Sequence, residues 1–275
     1  MRPTYSLERE IERAAKLLTE ADCILVLAGA GMGVDSGLPD YRGTAGWWTN
    51  HAAFRAANVT YEQASSGRMF YQDPGLAWGV YGHKLEVYRK ATPHQGFAIL
   101  RRWVDALPQR SFVFTSNIDG QFQKAGFLEQ DIQECHGSVH WLQCARRCTD
   151  TVWSTRRLVP RVDPETLRWE GELPRCIYCD SVARPNVLMF EDAHWVSLKD
   201  EQQAAQFERW RKQAMRPVAI EIGAGTDVLR VRRLSELFSR RLIRVNPADA
   251  MVRGHEIGVR TGGLQALTAI DAWLG

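Results

Sequence analysis

Several things are missing from this chain. No apolar run reaches the roughly 20 residues that a membrane-spanning helix requires, no long block of like charge occurs, and neither a low-complexity tract nor an internal repeat is evident. The opening residues Met1 to Glu10 lack the apolar core of a secretory leader. These absences predict a cytoplasmic protein with no membrane partner. Net charge is also small, since 35 Lys and Arg face 32 Asp and Glu, and such a balance argues against a nucleic-acid partner. The arginine clusters at 101–102, 156–157, 209–211, 230–233 and 240–241 read for the most part as solvated helix faces. Cysteine is scarce, with six residues. In a chain expected to remain in a reducing compartment they point to metal ligands or buried thiols, not to a disulfide framework.

What is present suffices for a large core: 275 residues, 45% apolar and 24% charged, fit one domain or a domain with an inserted module. Residues 7–20 have helical periodicity, with Ser6 as N-cap and Leu7, Ile11, Ala14, Ala15, Leu17 and Leu18 near one face. The run from Cys23 to Ala28 and the stretches Phe112–Thr115, Val218–Ile222 and Leu242–Val245 read as buried strands. Each ends in glycine or polar residues, at Gly29–Gly33, Ser116–Asp119, Gly223–Asp227 and Asn246–Pro247. The fold class is therefore α/β, an open parallel sheet covered by helices, whose turns gather on one edge and share one crevice. Residues 43–95, rich in aromatics and of helical character, and residues 138–190, which carry the paired cysteines, do not fit the sheet and read as inserted modules. The tail from Met251 to Gly275 reads as a loop and a terminal helix.

Four blocks carry chemistry. In Gly29-Ala30-Gly31-Met32-Gly33-Val34-Asp35-Ser36-Gly37-Leu38-Pro39-Asp40-Tyr41-Arg42 a strand enters a glycine turn in which backbone N–H groups and a helix N-terminus can hold a pyrophosphate, which points to a dinucleotide. Thr115-Ser116-Asn117-Ile118-Asp119-Gly120 places an amide and an acid at a strand end. Glu134-Cys135-His136-Gly137 offers an imidazole, the side chain suited to a general base near neutral pH. Cys144 and Cys148, followed after 27 residues by Cys176 and Cys179, can supply four thiolates to a closed tetrahedral zinc site. Reduced thiols and a redox pair are the alternatives.

The four blocks, in this order, resemble the signatures of the sirtuins. Arg184-Pro185-Asn186-Val187-Leu188-Met189-Phe190-Glu191-Asp192 resembles that family's peptide-receiving segment, Gly223-Ala224-Gly225-Thr226 an expanded form of its GTS turn, and Arg244-Val245-Asn246-Pro247 its IN motif. The likeness spans about residues 20–247. It implies a Rossmann-like domain from 1–42, 96–137 and 191–275, with helices on both faces of the sheet. A helical module, 43–95, and a zinc-binding module, 138–190, would form the small domain.

The resemblance also implies an NAD-dependent protein lysine deacylase that transfers the acyl group to ADP-ribose and releases nicotinamide. Its catalytic residues would be His136, the general base, with Asn117 beside the reactive ribose and Asp119 on the nicotinamide carboxamide. NAD would be held by Gly29, Ala30, Gly31, Asp40, Tyr41, Arg42, Ser116, Asn117, Ile118, Asp119, Gly223, Gly225, Thr226 and Asn246. One structural zinc would sit on Cys144, Cys148, Cys176 and Cys179, and an acyl-lysine protein or peptide would add as a strand at Val187 and Phe190. Trp78, Tyr81 and Lys84 are similar to the W-x2-Y-x2-R pattern of sirtuins that remove acidic acyl groups, with Tyr81 and Lys84 facing the carboxylate. The departures are Gly33, Leu38 and Tyr41 in the first block, Ser116 for glutamine, Gln121-Phe122 for Leu-His, Lys84 for arginine, Glu191 for glycine, and a C-x3-C first pair. Two other functions are consistent with these changes: a mono-ADP-ribosyltransferase or NAD glycohydrolase, and a non-enzymatic NAD or ADP-ribose sensor.

Overall fold

Successive side chains of a strand point to opposite faces, and in β1 (Cys23–Ala28) both sets are apolar and buried. Ile24, Val26 and Ala28 join one core, whereas Cys23, Leu25 and Leu27 join another. A strand built this way must lie inside a sheet covered on both faces. The computed structural model describes residues 6–39, 59–226 and 228–275, and among them nine strands form two sheets. After β1 come β2 (Phe112–Thr115), β3 (Ile132–Glu134), β4 (Gly137–Cys144), β5 (Trp153–Ser154), β6 (Ala183–Val187), β7 (Pro217–Ile222), β8 (Leu242–Val245) and β9 (Ile257–Val259). The large sheet has the order β3-β2-β1-β7-β8-β9 and is parallel throughout. The small one, β5-β4-β6, is antiparallel.

One face of the large sheet is covered by the helices Leu7–Thr19, Gln95–Ala106 and Gly263–Leu274, the other by Leu198–Gln213 and Arg230–Glu236. The first helix buries Ile11, Ala14, Ala15 and Leu18 on its apolar stripe. Ser6 occupies the N-cap position in an extended conformation, but its side chain makes no capping hydrogen bond. Its carbonyl accepts from Glu10 N–H instead, and Glu8 and Glu10 place negative charge in the first turn, where the helix dipole favours it.

A third apolar cluster lies apart from these two. It joins Trp78, Tyr81 and Leu85 of the helix Pro74–Lys90 to Val139 and Leu142 of β4 and Val187 of β6. The helix begins where Asp73 accepts from Leu76 N–H at 3.1 Å and Pro74 fills the first position, a start that needs no donor there. Trp78 belongs to this packing: fully buried, it donates from Nε1 to Ala183 O at 2.8 Å and thereby ties the helix to β6.

The same layer holds a buried ion pair. Arg184 and Asp192 side chains are 0% and 1% exposed, and the guanidinium grips the carboxylate with both terminal nitrogens. Arg184 also donates to Val187 O at 3.3 Å, and Asp192 accepts from Met189 N–H at 3.2 Å. Removing one partner strands a buried charge, at a cost of about 3–5 kcal/mol, whereas an apolar pair of similar volume escapes that penalty. Asp192→Ala is therefore expected to lower unfolding stability by about 3–5 kcal/mol, and Arg184→Met with Asp192→Leu to recover most of the loss. Urea denaturation of the two variants tests this.

Candidate active site

Because the large sheet is parallel, the carboxyl ends of its strands lie on one edge, and the order reverses at β1, between β2 and β7. Chains leaving either side of such a point open a crevice. The turn after β1 meets the turn after β7 there, glycine against glycine. A Cβ on Gly29 would stand 2.6 Å from Gly223 O, and one on Gly31 2.7 Å from Gly223 Cα. Gly223 itself has φ +60. Gly29 N–H donates to Ile222 O and Gly31 N–H to Gly223 O, both at 3.0 Å. The glycines thus serve the contact between two turns first, and the approach of a ligand second. The helix after the first turn, Gly31–Val34, is one turn long, so its dipole is far smaller than the sequence pattern implies.

The turn after β2 is fastened to the first. Thr115 Oγ1 donates to Ala28 O, Ser116 N–H donates to the same carbonyl, and Asn117 Nδ2 donates to Gly29 O, at 3.0, 3.1 and 3.0 Å. The last of these bonds fixes the plane of the Asn117 amide. Ile118 O accepts from Val139 N–H at 3.1 Å, and among the described residues Ile118 N–H donates to no protein acceptor. Asp119 is 6% exposed and accepts from Gln121 N–H at 2.9 Å. Burial raises its carboxyl to about 6, against smaller opposing pulls from hydrogen bonds and from Lys124. Gly120, at φ +70, leaves room for His140, whose Nε2 lies 2.9 Å from Asp119 O and must carry the proton.

A cavity of about 560 Å³ runs along this edge. Gly29, Ala30, Gly31, Gly223 and Gly225 line one end. Ser116, Asn117, Ile118, Asp119 and the half-buried His136 line the middle. Val187, Phe190, Tyr81 and Lys84 line the far end. The sequence therefore anticipates residues of all three parts. Thr226 is exposed and outside the lining. Asn246 stands behind it, its Nδ2 donating to Ala224 O at 3.0 Å and its Oδ1 accepting from Ala248 and Asp249 N–H at 2.9 Å each. Asp40, Tyr41 and Arg42 lie outside the described residues.

At the far end Lys84, 2% exposed, sits 4.9 Å from the Tyr81 ring centroid and 5.1 Å from that of Tyr61, with Nζ 3.4 Å from the Tyr61 hydroxyl. Beyond β6, Leu188 N–H donates to His136 O, Met189 N–H to Asp192 and Phe190 N–H to Ser65 O. An added strand would thus be held along 188–190 by carbonyls rather than amides. Glu191, in place of glycine, keeps a left-handed backbone at φ +50.

The four paired cysteines converge away from the cavity. Their sulfurs all lie within 4.8 Å of one another, with Cys144 to Cys179 at 3.6 Å and Cys148 to Cys176 at 3.7 Å. A tetrahedron with Zn–S of about 2.3 Å has S···S edges of about 3.8 Å, so the donors fit zinc in both chemistry and spacing. The longer first knuckle is accommodated by Arg147 at φ +51.

The Sir2 family model matches residues 29–224. This chain belongs to the Sir2 family. Similar proteins include an NAD-dependent protein deacylase of Thermococcus sibiricus, 28% identical over 66% of this chain and 64% of that protein, and NAD-dependent protein deacylase 2 of Pseudomonas aeruginosa, 31% identical over 66% of each. The chain spans slightly less than two thirds of the length of these curated relatives. A solved Sir2 homologue in complex with NAD shares the fold at a TM-score of 0.71 and 21% identity, covering 96% of this chain and 93% of that one.

Some residues of this sirtuin's cavity escape a sequence reading. Tyr61, Ser65 and Tyr88 line it from helices with no motif of their own. Behind the lining, Glu134 of the His136 block is 2% exposed, and burial raises its carboxyl to about 7 against the pull of Lys199, Gln123 and Ser138. Nor are all residues of the arginine run 230–233 solvated: Arg232 is 8% exposed, and Arg230 donates to Cys135 O at 2.6 Å, next to His136. Cys135 itself is fully buried in the sheet core.

Because the folded-state value of Asp119 is raised, its contribution to stability is fully present below about pH 4 and is lost as pH rises through about 6. At pH 8 the buried charge costs on the order of 2–3 kcal/mol. Asp119→Asn, which keeps the acceptor for Gln121 N–H, is expected to be more stable than wild type by roughly that amount at pH 8 and equal to it near pH 4. Denaturant unfolding at the two pH values measures the difference.

Proposed function

We propose that this sirtuin is an NAD-dependent protein lysine deacylase. The supporting observation is the single cavity in which the glycine turns, the Ser116–Asp119 turn and His136 meet a pocket bounded by Val187, Phe190, Tyr81 and Lys84. NAD supplies an ADP-ribosyl group whose C1′ accepts the acyl oxygen as nicotinamide departs. The chain's own residues prepare that exchange. Gly29, Ala30, Gly31, Gly223 and Gly225 bring backbone to the diphosphate end. Asn117, held by Gly29 O, faces the ribose. Ile118 N–H donates to the carboxamide oxygen, and the Asp119 carboxyl accepts from its amide, a contact that is stronger in the ionised form and so weakens as pH falls through about 6. His136 takes the proton from the ribose hydroxyl system as that hydroxyl engages the acyl carbon. Water then releases the lysine and O-acyl-ADP-ribose. Ser116 cannot span the distance that glutamine does, so its ribose contact passes through water.

The acyl group enters between Tyr81, Lys84 and Tyr61, and we assign a short acidic acyl chain to that pocket, its carboxylate meeting the buried ammonium and a phenol. Lysine gives a point charge without the bidentate fork of arginine. The cysteine cluster is assigned one structural zinc, closed to substrate, which ties the segment between Cys148 and Cys176 to β4. We assign residues 1–42, 96–137 and 191–275 to the large domain and residues 43–95 and 138–190 to the small one, a division that the separate third apolar cluster supports.

Two measurements test this reading. Mass spectrometry of the products from NAD with a mixture of acetyl- and succinyl-lysine peptides should find O-acyl-ADP-ribose and free lysine, greater turnover of the succinyl peptide, and no deacylation by His136→Ala although NAD still binds. ADP-ribose on protein or free in solution, with the acyl-lysine intact, would instead establish transferase or glycohydrolase chemistry, which the committed amides of 188–190 favour. No nicotinamide release would identify a sensor. Metal analysis of the reduced protein should find about one zinc per chain, and Cys148→Ser should lose it.

A further inference from the structure

The carbonyls and amides of the turn after β7 have opposite fates. Gly223 O accepts from Gly31 N–H at 3.0 Å. Ala224 O accepts three donors, Nε and Nη2 of Arg232 at 3.3 and 3.0 Å and Nδ2 of Asn246 at 3.0 Å. The N–H groups of Gly225 and Thr226, by contrast, donate to no protein acceptor among the described residues. Ala224 O and Gly225 N–H belong to one peptide unit, which is planar and trans, so the two point in opposite directions. A carbonyl pinned into the protein by three donors therefore aims its partner N–H outward, and Gly225 lines the cavity.

Arg232 does not line the cavity itself. Its remaining donors meet Asp249, the backbone oxygen at 2.9 Å and the carboxylate at 3.1 Å, and its Nε stands 3.9 Å from Glu221. Glu221, fully buried, is held mainly by Arg244 at 2.8 and 3.1 Å and by the Ser235 hydroxyl. The two guanidinium groups and two carboxylates cancel in charge. The cluster therefore acts by fixing a peptide plane, not by attracting an anion from a distance.

We propose that Arg232 is a positioning residue for the dinucleotide: through the Ala224 carbonyl it sets Gly225 N–H as a donor to a diphosphate oxygen. The inference rests on the reading of the cavity as an NAD site and adds to it a side chain in the layer behind. Glutamine at this position lacks the reach and the paired donors. Lysine keeps the charge but cannot place two N–H groups on one carbonyl. Asn246 alone would then hold the turn.

The test is calorimetric titration of wild type, Arg232→Gln, Arg232→Lys and Asp249→Asn with NAD and with ADP-ribose, alongside kcat and KM for NAD and for acyl-peptide. Losing a well-placed hydrogen bond to a charged oxygen weakens binding by about ten- to a hundredfold, so Arg232→Gln and Arg232→Lys are expected to weaken both nucleotides by up to that amount. KM for NAD should rise more than kcat falls, with KM for peptide unchanged. Asp249→Asn loosens the other side of the guanidinium, at a side chain 35% exposed, and should weaken binding less, in the same direction. It also decides the matter if the Arg232 variants fail to fold. Wild-type affinity in the folded Arg232 variants, or an equal rise in KM for NAD and peptide, overturns the proposal. If wild type binds neither nucleotide, the NAD reading falls first and takes this one with it.

Discussion

Two turns pressed together without side chains between them set the geometry of this molecule. Gly29 and Gly31 after β1 approach the backbone at Gly223 and Ala224 more closely than any Cβ would allow, and hydrogen bonds between the turns hold that approach. The register of β1 with β7, Ala28 beside Ile222, and with β2, Ala28 beside Thr115, brings three strand ends to one level. Asn117 then reaches Gly29 O, and His136, arriving from β3, joins the same cavity. A methyl group at Gly31 or Gly223 would separate the turns and with them the residues assigned to opposite ends of one ligand.

The chemistry is set by dryness as much as by position. Asp119, Glu134 and Lys84 are all nearly excluded from solvent, in a region where charges interact strongly and are costly to maintain. Burial moves Asp119 towards neutrality but leaves it mostly ionised at neutral pH. An acceptor that is costly to keep ionised in the folded protein is one from which a matching donor recovers free energy on binding.

Much of this was legible in the chain. Strands buried on both faces appear as apolar runs, and β1, β2, β7 and β8 fall where those runs lie, to within a residue. Three-residue edge strands such as β3, with Gln133 and Glu134, carry no such run. The paired cysteines announce themselves by their spacing, whereas His136 stands out only through the likeness of its block to a family signature. Contacts between distant segments leave no comparable trace. Nothing local distinguishes Arg232 from its exposed neighbours, shows that Asn246 turns towards Ala224 rather than the ligand, or pairs Tyr61 with Lys84. Those facts arise only once the helix Arg230–Glu236 and the turn after β8 are laid against the sheet. Trp78 shows the converse, since a motif residue was drawn into packing while Tyr81 and Lys84 of the same pattern reached the cavity.

The double commitment of β1 has a dynamic consequence. It is hydrogen-bonded to β2 on one side and β7 on the other, and its alternate side chains lie in two separate cores. No local fluctuation frees its amides: a helix that lifts from one face leaves the other face packed and both ladders intact. Proton exchange at Leu25 to Leu27 must then await opening of the entire sheet, whereas the amides of β9, on an edge, can exchange through partial opening. The glycine turn is thus borne by a strand that opens only with the whole sheet, and its carbonyls remain in place while the layers around the cavity fluctuate.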